Sequence, residues 1–98
     1  MTDERKPLFV PLKGEWFDAF KSGTKTFEHR LMRRQYNVGQ VVVGRRVTLS
    51  RGYSGARLQG VIVKVLVRPM SALGGVSEYP DATPDDSVIS FQIALDPA

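Results

Sequence analysis

Residues Arg57 to Val67 form the longest strand candidate in the chain, and both faces of that strand are apolar. Val61, Val63, Val65 and Val67 share one side at the two-residue period of a strand; Leu58, Ile62 and Leu66 share the other with Lys64. A strand of this kind must be covered on both faces, so it lies at the centre of a sheet or within a closed barrel. A chain of 98 residues has room for one core only, so every other element must pack around this strand.

The remaining pattern supplies short neighbours. Leu8–Leu12 has strand character, and Pro11 confines it to an edge or a strand end. Residues 1–7 are polar and are expected to fray. Gly14 to about Ser22 reads as a helix with Trp16, Ala19 and Phe20 as a buried stripe and Phe17 beside it. Glu15 in the first turn and Lys21 in the last complement the helix dipole, and Gly23 is expected to end the helix in a left-handed conformation. Thr24–Leu31 reads as a strand whose core face carries Phe27 and Leu31, with His29 between them, and whose exposed face carries Thr26, Glu28 and Arg30.

Met32–Gln40 is a basic connection closed by Asn37 and Gly39; Val41–Arg51 is one or two strands broken near Gly44, and Gly52–Gly55 is a turn. A short second helix is expected over about 70–74, a loop over Gly75–Asp86, and a closing strand over Val88–Leu95 with Ile89, Phe91, Ile93 and Leu95 inward. The expectation is one α+β domain over 1–98, mainly β: a small barrel with one main helix, about 14–22, since closure removes exposed sheet edges.

Charge is distributed unevenly. From Lys21 to Arg68 there are eleven Lys/Arg against the single acid Glu28, which is +10; the flanks carry three against nine, which is −6, giving the net +4. A basic middle favours a polyanionic partner through counterion release. The alternative is a solvated basic face with acidic ends folded beside it. The chain lacks cysteine and has one histidine, His29, so no metal site and no cofactor are expected. No apolar run approaches the roughly 20 residues of a membrane helix, and Met1–Pro7 lacks the apolar stretch of a signal peptide, so a cytoplasmic location is expected.

The densest chemistry is Gly23-Thr24-Lys25-Thr26-Phe27-Glu28-His29-Arg30, where helix gives way to strand. Glu28 and Arg30 are two residues apart and share a face. Lys25 joins them over one hollow only if it sits in the entry turn or at a bulge. With Pro11-Leu12-Lys13 and Trp16-Phe17 ahead of it, this segment resembles the ASCH domain family, whose G-x-K-x-x-E-x-R signature is met at Gly23, Lys25, Glu28 and Arg30. The resemblance covers the first third closely and the later strands loosely. It implies a PUA-like β-barrel and a role in RNA binding, coactivator-type interaction or hydrolysis.

The binding expectation places Lys13, Lys25, Arg30 and an arginine among Arg45, Arg46 and Arg51 on phosphates of RNA or a nucleotide-like ligand, Glu28 on Arg30 or on a base amino group, and Tyr53 or Trp16 under an unpaired base. The alternative is a small hydrolase of a modified nucleoside or RNA, with Lys25 and Glu28 catalytic. One branch of the family, resembling amidohydrolases of acetylated cytidine, has threonine where this chain has Glu28, and Glu78 does not align securely with that branch's downstream glutamate. For Lys25, Glu28 and Arg30 the bland reading is a surface ion-pair row worth about 0–1 kcal/mol. For Trp16 the bland reading, core packing, is the expected one. A protein-docking module is a third class.

Overall fold

A computed structural model describes residues 3–72, 82–83 and 85–97. The elements run β1 (Asp3–Leu12), α1 (Gly14–Ser22), β2 (Phe27–Leu31), β3 (Arg45–Arg51), β4 (Arg57–Pro69), a 3-10 turn (Met70–Ala72) and β5 (Ser87–Leu95). They make one five-stranded sheet in the order β1-β3-β4-β5-β2. The β1–β3 pair is parallel and the other three pairs are antiparallel. The sheet curls into a half-barrel, which makes the domain a small α+β fold, mainly β. Full closure was the expectation from edge protection. Here β1 and β2 remain edges on either side of an open seam.

The two-faced strand takes the expected central place, between β3 and β5. Its alternation is broken by a bulge: Ile62 faces Ile93, yet Lys64 faces the very next β5 residue, Gln92, so Val63 is the extra residue. The bulge moves the inward side from Gly60 and Ile62 to Val65 and leaves Val63 and Leu66 exposed. The period-2 division of β4 into two uninterrupted faces is corrected accordingly. Gly60 is where β4 lies tight against β5, since a Cβ there would come within 2.7 Å of the Ala94 carbonyl oxygen.

The core is a single cluster on the inner face of the sheet. Leu8, Val10 and Leu12 of β1, Val47 and Leu49 of β3, and Ile89, Phe91 and Ile93 of β5 meet Phe17 and Phe20 of α1. The expected helical stripe is shifted by a residue: Phe17 and Phe20 are buried, whereas Trp16 is 46% exposed and does not belong to the core. Gly23 closes the helix with φ 85°, donating its N–H to the Phe20 carbonyl. The Ala19 carbonyl accepts from the Lys25 N–H and the Ser22 and Thr24 hydroxyls, so the helix end is well satisfied.

Two further differences bear on the site. β1 reaches back to Asp3, so most of the segment expected to fray is strand. Arg45 supports it by donating to the Lys6 carbonyl. β2 begins at Phe27 rather than Thr24 and is turned over relative to the apolar pattern: Glu28 is buried opposite the core residue Phe91, and His29 is exposed. Residues 73–81, with Glu78, Gly74 and most of the expected loop, lie outside the described residues.

Candidate functional site

The seam is stitched by side chains instead of backbone pairing. On the β2 side, the Glu28 carboxylate accepts the His29 N–H at 2.9 Å through Oε1 and faces the Arg30 guanidinium at 3.4 Å through Oε2. Arg30 crosses the gap and donates to the Pro11 carbonyl of β1 at 2.7 Å. Beside it, the Tyr36 hydroxyl donates to the Phe9 carbonyl, also on β1, at 3.1 Å. The Arg30 guanidinium lies 5.0 Å from the centre of the Tyr36 ring, and that ring stacks at 6.4 Å on Phe91 in the core. Glu28 and Arg30 face inward because each finds a partner at the seam, which offsets the cost of burying their charges.

Above these stitches lies a groove of about 810 Å³, lined by Leu8, Phe9, Pro11, Arg30, Arg34, Gln35, Tyr36, Gln40 and Tyr53. Its size suits a ligand of nucleotide dimensions. One wall is the Arg33–Gln40 loop, and the Asn37 side chain ties that loop. Its Nδ2 donates to the carbonyls of Arg33 and Arg34, and its Oδ1 accepts from the N–H groups of Gly39 and Gln40. β1 contributes Leu8, Phe9 and Pro11, and the 52–55 turn contributes Tyr53. Arg57 braces it by donating to the Tyr53 and Gly55 carbonyls while lying 5.3 Å over the Phe9 ring.

Burial raises the Tyr36 hydroxyl pKa above its ordinary value; Arg30 opposes this, and Glu28 and Tyr53 add to it. The hydroxyl therefore stays a neutral donor to Phe9 throughout the physiological range. Arg34 is exposed, and its guanidinium has no hydrogen bond or ion pair among the described residues.

The residues singled out from sequence are dispersed. Arg30 and Tyr53 line the groove, and Glu28 lies behind Arg30. The Lys25 amine lies 5.2 Å over the Trp16 ring and 5.7 Å over the Phe20 ring, and no ion pair joins it to Glu28. Lys13 precedes α1 and is exposed. Arg45 is buried on Gln40 and Lys6. Arg46 pairs with Asp96, and Arg51 with Asp18. Arg33 pairs with Asp86, whose carboxyl is held below its usual range chiefly by the Thr83 backbone N–H and then by Arg33. Acids from the flanks therefore neutralise part of the basic middle, and among the described residues the cations lining the groove are Arg30 and Arg34.

Tyr36, Arg34 and Phe9 were not singled out by sequence reasoning. Tyr36 had a signal, an aromatic residue inside a basic connection that Asn37 and Gly39 close; Phe9 looked like plain strand. Among the described residues no group of His, Asp and Glu is arranged to hold a metal ion, and no helix is long and apolar enough to cross a membrane.

A family model described as "Domain of unknown function (DUF3850)" matches residues 11–74, more than half of the chain. The matched segment contains the Gly23–Arg30 motif, the groove lining apart from Leu8 and Phe9, and the whole of the central strand β4. No curated protein matches the chain.

Proposed function

The chain belongs to the DUF3850 family, and from that premise we propose that it is an ASCH-type, PUA-like module that binds RNA or a nucleotide-like ligand in the seam groove. The observation that carries this reading is the meeting of two guanidinium groups with exposed aromatic surface in one open groove of nucleotide size: Arg30 and Arg34 with Phe9 and Tyr53. Cations attract the phosphate backbone, and aromatic faces hold unstacked bases. The curled sheet and the four matched signature positions support the ASCH-type assignment.

The hydrolytic alternative has no specific observation in its favour, since the Lys25 amine and the Glu28 carboxylate are engaged in separate contacts. The test is titration of fluorescently labelled single-stranded RNA at low and at near-physiological salt. Binding that weakens steeply with salt is expected; no binding at low salt removes the proposal.

A further inference from the structure

We infer that the groove holds single-stranded RNA without strong regard to base identity, with Arg34 on a phosphate and Tyr53 under a base, while Arg30 stays in the service of the fold. The inference rests on the RNA-binding reading above and assigns the contacts within it.

The division of labour follows from which donors and faces are already taken. Sequence-specific reading by arginine requires a free pair of parallel N–H groups to fork onto one base. In Arg30 one terminal nitrogen already donates to the Pro11 carbonyl and faces Glu28, and one face of the guanidinium lies against Tyr36. Both bidentate edges of a guanidinium on that side include the occupied nitrogen, so only single donors are left for a ligand. Leaving its partners to read a base would cost Arg30 its link across the seam. Glu28 presents no acceptor to a base either, since it is buried behind Arg30 and does not line the groove.

Arg34 differs in every respect. It sits on the groove wall, is exposed, and has no partner among the described residues. The Asn37 bond to its own carbonyl fixes the backbone from which the side chain reaches. A flexible cation at a groove lip suits a phosphate, which presents the same charge whatever the base. Tyr53 is 81% exposed at the tip of a turn whose Tyr53 and Gly55 carbonyls accept from Arg57, and its ring packs on no other ring among the described residues. An unpaired aromatic face on a braced turn is a stacking platform, and stacking tolerates any base because every base has a π-face. Duplex RNA keeps its bases inside and leaves Tyr53 without a partner.

The test uses the full chain and labelled ten-nucleotide rA, rC and rU strands, with a duplex of equal length as a fourth probe. The expected result is that the three single strands bind within about fivefold of one another and the duplex binds at least about tenfold more weakly. Arg34→Ala should weaken all three single strands alike and reduce the steepness of the salt dependence by about one phosphate contact; Arg34→Lys should restore most of both. Tyr53→Ala should weaken the single strands by about tenfold and leave duplex binding unchanged. Both side chains are exposed, so unchanged circular dichroism is expected in both variants. A preference above about fiftyfold for one base, or a salt dependence untouched by Arg34→Ala, overturns the inference while RNA binding stands. If the unmodified protein binds none of the four probes at low salt, the RNA-binding reading fails and the inference falls with it.

Discussion

Tyr36 connects three parts of the molecule: its ring rests on the core at Phe91, its face meets Arg30, and its hydroxyl reaches β1. Tyr36→Phe removes only the hydrogen bond to the Phe9 carbonyl and should cost about 1 kcal/mol in urea unfolding. The same hydroxyl gives stability a dependence on alkaline pH. Its folded pKa is raised above the ordinary value of 10.0, mainly by burial, so the unfolded chain ionises first. The stabilisation is complete below about pH 10 and is lost as pH rises through the folded pKa. The urea midpoint should fall across that range, and Tyr36→Phe should flatten the fall. Asn37 is the second residue to test, because four backbone groups depend on its amide. Asn37→Ala should destabilise by about 1–3 kcal/mol and loosen the groove wall. The motif showed that Glu28 and Arg30 share a face, but not which face. Hydrophobic alternation assigns Phe27 and Leu31 inward, and only the cross-seam partners, distant in sequence, make inward charges tolerable.

Elements were legible where a single periodicity governed them. β5 alternates in sequence from Ile89 onward, and Ile89, Phe91 and Ile93 point inward as that pattern indicates, while Val88 and Ser90 on the other phase are buried as well. β4 was legible as central but not as bulged, because an extra residue such as Val63 leaves no mark in a run of β-branched side chains. In α1 the tandem aromatics Trp16-Phe17 admit two stripes one residue apart, and packing against β1 and β3 selects Phe17 with Phe20. Trp16→Ala should therefore cost under about 1 kcal/mol, whereas Phe20→Ala should cost about 3–5 kcal/mol. Thermal melts of both variants check the contrast. Gly60→Ala should lose about 1–3 kcal/mol, because the added methyl meets the Ala94 carbonyl oxygen and the Ile93 side chain of the neighbouring strand and forces one of them to shift.

At the scale of the whole molecule, the basic middle and acidic flanks are folded onto each other: Asp18, Asp86 and Asp96 neutralise Arg51, Arg33 and Arg46. Composition alone offered this arrangement and a polyanion-binding face as competitors. The structure contains the first in these three pairs and leaves Arg34 at the groove without a counter-charge among the described residues. The parallel pairing of β1 with β3 also has a consequence for how the chain is assembled. β3 and β4 are joined by a tight turn and β4 meets β5 in antiparallel register, so these three can zip up early through comparatively local closures. The outer strands close longer loops: Leu8 of β1 meets Val47, and Phe27 of β2 meets Gln92 across a still longer stretch of chain. The two rims of the seam are thus the last staves to be fitted, and the groove between them takes shape only when both are in place.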